Sequence, residues 1–216
     1  ARERESLLMK FIAQFSLFKN QEEKLIEITE PSNFFLLSQE EQAMQKTSLE
    51  GGDVMMIAPG HLLIGCSVRT TSAGVNEAIH NIFADSSTGI EKITVIKIPQ
   101  HRAMMHIDTV FTQVRKDTWV LFGQFSEKVM QLDKRDQYNY NKRLLSDGHT
   151  EGGFKIEILR FLKPLSEQYA PYKNYEVNIR PEITGLESLL REISIRDFGI
   201  KPDKVNIIYS GNNTFP

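Results

Sequence analysis

Glu50-Gly51-Gly52-Asp53 places two carboxylates around a pair of glycines. Glycine lets a backbone come close to a ligand, which makes the motif a candidate binding turn. Its plain reading is a polar turn ahead of a hairpin. In Met105-His106-Ile107-Asp108, residues two apart on extended chain project to one face, which sets His106 beside Asp108. A histidine next to a carboxylate suits proton transfer near neutral pH, and a structural histidine is the alternative. Arg69, within Gly65-Cys66-Ser67-Val68-Arg69-Thr70, carries a guanidinium that can fork onto a substrate carboxylate or join a surface ion pair. Cys66 lies inside an apolar run and reads as a small buried hydrophobe rather than a nucleophile. The histidines at 61, 80, 101, 106 and 149 show no HExxH-like spacing, so no metal site is expected.

The elements that must position these residues are readable from punctuation and periodicity. Val54 to Ile57 and Leu62 to Gly65 are apolar runs joined by Pro59-Gly60, which predicts a hairpin. Thr71 predicts the N-cap of a helix whose stripe is Val75, Ala78, Ile79, Ile82 and Phe83. Ile93 to Ile98 is then a nearly continuous apolar strand. The order returns: Val110 to Val114 and Thr118 to Phe122 as a hairpin, a helix with Leu186, Leu189, Leu190 and Ile193, and a strand from Val205 to Tyr209. Recurrence of one hairpin-helix-strand unit predicts a modular α/β array. A charged, tyrosine-rich stretch at about 126–181 interrupts the second unit and reads as an insertion with structure of its own around Lys155 to Leu162.

Ahead of the first hairpin, Leu7, Leu8, Phe11, Ile12, Phe15 and Phe18 predict an amphipathic helix over the first twenty residues. Lys24 to Thr29 and Phe34 to Leu37 read as short strands, and Ser38 with Glu41 as a capping box opening a helix up to about Lys46.

Composition is that of a soluble globular chain. The 216 residues are 40% hydrophobic and 25% charged, enough for a proper core. A formal net charge of −2 gives no basic excess for phosphate neutralisation, so no nucleic-acid partner is expected. No apolar run approaches a membrane span and the start, ARERES, is not a signal peptide, so no membrane partner is expected. One cysteine excludes an internal disulfide framework, and a reducing, cytoplasmic location is the default.

Together the motifs are more specific than any one alone. Glu-Gly-Gly-Asp, then Gly-x-Ser-x-Arg-Thr-Thr after a hairpin, then Met-His-Ile-Asp-Thr-Val-Phe-Thr after a helix and strand, resembles the arginine deiminase branch of the guanidine-modifying superfamily. That superfamily also holds amidinotransferases and dimethylarginine hydrolases. The resemblance is strong from Leu49 to Gln113, and Ala1-Arg2-x-x-Glu5 resembles the start of the preceding helix.

The resemblance implies a five-fold pseudosymmetric α/β propeller with a central substrate site, of which this chain would form a single partial domain of about three units. It implies that Glu50 and Asp108 bind the substrate guanidinium, that His106 handles protons, and that Arg69 and Arg2 hold the substrate carboxylate, with Asp53 counted among the substrate-binding residues. A guanidinium is planar and permanently cationic, so carboxylates at its edge fix charge and orientation together. The implied reaction converts arginine to citrulline and ammonia through a covalent cysteine intermediate, with no cofactor. Amidinotransferase activity, or a non-catalytic binding or scaffold role, is the alternative.

Three departures qualify the expectation. The family cysteine near the carboxyl end has no counterpart here, and Cys66 does not match it. The family's earlier Phe-x-Arg-Asp segment is absent, and Val68 stands where the deiminase branch has glutamate. The chain is therefore expected to be an internal piece of a longer enzyme, to carry half an active site, and not to turn over arginine alone. Uncovered strand edges lead to the further expectation of association, as a homo-oligomer or with other segments of the same parent chain.

Overall fold

Turn chemistry and apolar runs build the first half of the molecule. In the computed structural model, β1 (Val54–Ala58) and β2 (His61–Cys66) form the expected antiparallel hairpin, closed at Gly60 with φ of 70°. A positive φ is inexpensive only for glycine. Thr71 caps α2 (Ser72–Ala84) by accepting from the Gly74 backbone N–H, and β3 (Lys92–Lys97) then pairs parallel to β2. The described residues are 3–13, 25–28, 38, 40–41, 46–99, 104–130, 156–163, 177–182 and 185–210.

The unit recurs as the sequence predicts. β4 (Phe111–Arg115) and β5 (Thr118–Phe122) are antiparallel, and β8 (Asn206–Ser210) runs parallel to β5 after α4 (Leu186–Phe198). A short helix, α3 (Glu127–Met130), follows the second hairpin. Two mixed sheets result: one runs β1-β2-β3 and continues into two further strands, and the other is β4-β5-β8. β6 (Glu157–Leu162) and β7 (Val177–Glu182) come from the interrupting stretch and extend the first sheet antiparallel from β3.

Burial explains why β2 and β3 read as continuous apolar runs. Leu62, Ile64, Ile93 and Val95 face Val75, Ala78, Ile79 and Phe83 of α2. Leu63 and Ile96, one residue on, join the other cluster with Trp119, Leu121, Leu186, Leu189, Leu190 and Ile193. A strand buried on both faces shows no polar alternation. α4 is fastened to the first sheet by charge as well. Asp197 accepts from His61 Nδ1 at 2.6 Å and from Lys92 Nζ at 2.6 Å, Thr94 donates to His61 Nε2 at 2.8 Å, and Arg160 forks onto Glu192 with both bonds at 2.7 Å.

The amino-terminal expectations fare unevenly. The helix is present as α1 (Glu3–Ala13), where Leu7, Leu8 and Phe11 of the predicted stripe are more than half exposed. Phe15 and Phe18 of that stripe lie outside the described residues. Residues 25–28 form no strand, which corrects the reading of Lys24 to Thr29. Ile28 instead packs on the α2 cluster, and the Glu27 carbonyl accepts from the Asn81 side chain rather than from a ladder. The Ser38–Glu41 capping box is formed reciprocally, with Ser38 N donating to Glu41 at 2.9 Å and Glu41 N to Ser38 Oγ at 3.3 Å. Phe34 to Leu37 lies outside the described residues. Among the described residues no helix is long and apolar enough to cross a membrane.

Candidate active site

Two single-turn 3-10 segments, Gly51–Asp53 and Ile107–Thr109, lead into β1 and β4 and meet between the two sheets. They occupy corresponding places in the two units, so repetition of the unit brings the two motifs together. Glu50 precedes the first turn and His106 the second, both with extended backbone.

The carboxylate of Asp53 ties this arrangement from behind. It is fully buried and accepts from Ser67 Oγ at 2.6 Å, Thr70 Oγ1 at 2.5 Å and the Ile107 backbone N–H at 2.8 Å. Thr70 Oγ1 in turn accepts from the Glu50 N–H at 3.1 Å. One buried side chain thereby links the Glu50 turn, the Arg69 loop and the His106–Asp108 turn. Gly52 and Gly65 permit the close approach. A Cβ on Gly52 would lie 2.8 Å from Asp108 Oδ2 and 3.0 Å from the His106 ring, and one on Gly65 would lie 2.6 Å from Asp53 Oδ1.

In front of this support stand the side chains that sequence reasoning singled out. His106 Nε2 lies 3.3 Å from Glu50 Oε2, within ion-pair range but not aligned as a hydrogen bond, and has no hydrogen-bond partner among the described residues. His106 Nδ1 is 3.8 Å from Asp108 Oδ1. Arg69 Nη1 donates to both Glu50 oxygens, at 3.0 and 3.3 Å, while Nη2 points at the Met105 sulfur at 3.8 Å. Partial burial works to raise the Glu50 pKa. The Arg69 hydrogen bonds and the charges of Arg69 and His106 outweigh it and hold the carboxyl below its ordinary value.

Glu50, Arg69, His106 and Asp108 thus form one cluster, with Asp53 enclosed behind it. Arg2 lies outside the described residues. Sequence reasoning passed over Ser67, Thr70 and Met105 as site residues. The hydroxyl pair at three-residue spacing after a strand was the available signal, since Ser and Thr bond locally to nearby carboxylates and backbone. Cys66 neighbours Gly65 on β2 but points to the opposite face, toward α2, where its sulfur lies 3.4 Å from Ser72 Oγ. His61 belongs to the α4 attachment, remote in the fold from the cluster.

Residues 1–158 match the family model described as arginine deiminase. The chain belongs to the arginine deiminase family. An arginine deiminase of Staphylococcus haemolyticus is 33% identical over 123 residues, covering 56% of this chain and 26% of that protein. One from Mycoplasma capricolum is 27% identical over 125 residues, covering 56% of this chain and 31% of the relative. One from Clostridium perfringens reaches 42% identity over 77 residues, 36% of this chain and 19% of its own length. The matched region thus spans less than a third of each of these arginine deiminases.

Proposed function

We propose that this chain carries the guanidinium-holding and proton-handling part of an arginine deiminase active site. The observation that carries the reading is the convergence of Glu50, His106 and Asp108 where the two 3-10 turns meet, with contacts of 3.3 and 3.8 Å. Glu50 and Asp108 would grip the planar cation, Arg69 would hold the substrate carboxylate together with Arg2, and Asp53 would act by holding the turns in register. The two units fit consecutive parts of a five-fold propeller, because each repeats an antiparallel hairpin with a third strand parallel to its second. The stretch at about 126–181 would be an insertion into a single partial domain.

The chemistry then follows family logic. A thiolate bonds to the guanidinium carbon and one nitrogen leaves as ammonia, protonated through His106. Water adds to the same carbon, giving its proton to His106, and the carbon–sulfur bond breaks to release citrulline. Cys66 is not that thiolate in this reading, since it lies on the far face of β2. The test is product analysis with arginine on the full reading frame, with and without glycine or ornithine. Citrulline and ammonia are expected, with loss of about a hundredfold or more on His106→Asn. Guanidine transfer without citrulline would make the protein an amidinotransferase instead.

The placement of Cys66 also favours a second reading for the 216 residues alone, a binding module without turnover. With substrate contacts open to water, each ion pair contributes on the order of 1 kcal/mol. Arginine affinity is then expected no tighter than about millimolar. Citrulline formation by the 216-residue chain that disappears in Cys66→Ser would overturn this.

A further inference from the structure

β1 and β4 each start from one of the two 3-10 turns, and their far ends line a groove together with Phe198 of α4. The groove is open, measures about 430 Å³ and lies at the end of both strands away from Glu50 and His106. Its walls are largely apolar. Met56 and Val114 are 59% and 55% exposed, and Pro59 and Phe198 add to the lining. Its polar groups lack partners. Gln113 Nε2 is buried and meets no hydrogen-bond acceptor among the described residues, a costly state until an acceptor reaches it. Arg115 makes no ion pair among the described residues, and Lys116 sits 5.6 Å from the centre of the Phe198 ring rather than on a carboxylate. The adjacent Asp117 is engaged within its own hairpin, accepting from Thr118 Oγ1 at 2.9 Å. Apolar walls with a few convergent polar groups, around several hundred Å³, are the usual form of a small-molecule site.

We infer that this groove binds a small organic carboxylate with an apolar body. The body would lie against Met56, Val114 and Phe198. The Arg115 guanidinium and Gln113 Nε2 would share the carboxylate, with Lys116 adding charge at the rim. Backbone geometry favours such a ligand over an added peptide strand. Pairing slips in register between Met56 and Ala58 on β1, and between Gln113 and Arg115 at the corresponding place on β4. A strand edge broken in this way offers no regular row of N–H and C=O groups to a newcomer. Recognition therefore falls to the side chains. The site is separate from the Glu50–His106 cluster and does not depend on the guanidinium reading of it.

The test is NMR titration of the 216-residue chain with octanoate, beside octanol and octylammonium of the same chain length. Octanoate should shift the Gln113 side-chain amide and the Arg115 and Lys116 backbone signals saturably. It should bind about fivefold tighter than octanol, the scale of one partly exposed ion pair, and lose that advantage as salt is raised. The double variant Arg115→Gln, Lys116→Gln should remove the advantage while leaving octanol binding as it was. Both side chains are exposed, so an unchanged melting midpoint shows that the fold is kept. Octanoate binding no tighter than octanol or octylammonium would overturn the carboxylate site, as would equal octanoate affinity in the double variant. An extended peptide of glutamate and leucine that moves these signals where octanoate does not would also overturn it, making the groove a peptide site.

Discussion

Replacing Asp53 by alanine should be among the most damaging single changes in this chain. The side chain is fully buried and accepts three hydrogen bonds, from Ser67 Oγ, Thr70 Oγ1 and the Ile107 N–H. Truncation leaves those donors facing a small void. An unsatisfied buried donor costs about 1–3 kcal/mol. The two hydroxyls can rotate toward other acceptors and recover part of that, but the Ile107 N–H is fixed by its backbone. The expected loss is about 3–5 kcal/mol, a large share of the ordinary 5–15 kcal/mol of a folded domain. In a chain of this size that lowers the melting midpoint by roughly 6–20 °C. Asp53→Asn should cost less, about 1–2 kcal/mol, because its oxygen can still take the Ile107 N–H while its amide faces hydroxyls able to turn round. Urea denaturation followed by fluorescence of Trp119 gives both values, with an unchanged m-value as the sign that stability alone has moved. Asp53→Ala within about 0.5 kcal/mol of the parent chain would refute the account of Asp53 as the tie between the turns.

Gly52→Ala should weaken arginine binding more than it lowers stability, since the new methyl lies 2.8 Å from Asp108 Oδ2 and 3.0 Å from the His106 ring. Overpacking of this kind costs about 1–3 kcal/mol, and NMR titration beside thermal melting separates the two effects. Burial pushes the His61 pKa below its ordinary 6.5, against the hydrogen bond to Asp197 and in line with the charges of Lys92 and Arg160. Its stabilising contribution is therefore complete above pH 6.5 and is lost as pH falls from there toward the lowered folded value, because the unfolded chain takes up the proton first. The lowered carboxyls of Asp197 and Glu192 act only below their ordinary values of 3.8 and 4.5. Melting midpoints that fall between pH 6.5 and 4.5 in the parent chain should therefore flatten in His61→Gln, and parallel curves would refute this. Cys66→Ser should leave arginine binding unchanged and cost about 1 kcal/mol, measured by denaturation, since the sulfur sits among apolar side chains with Ser72 as its polar neighbour.

What the sequence by itself determined is local and short in range. Pro59-Gly60 specified the first hairpin, Thr71 the start of α2, and the apolar stripes the buried faces of α2 and α4. These signals act within a few residues, through backbone dihedrals and periodicity, so they are readable without a partner in view. The motif resemblance likewise anticipated that Glu50, Arg69, His106 and Asp108 belong together. Tertiary structure decided what they touch. Only packing could set the Asp53 carboxylate behind the site, place the Arg69 tip on Glu50, turn Cys66 away toward α2, and bring Asp197 to His61 across 136 residues of chain. It also decided that residues 25–28 would not be a strand and that β6 and β7 would extend the first sheet. An apolar alternation states only which face seeks burial. Whether a strand, a helix or another side chain meets it depends on contacts between segments far apart in sequence, where no local rule reaches.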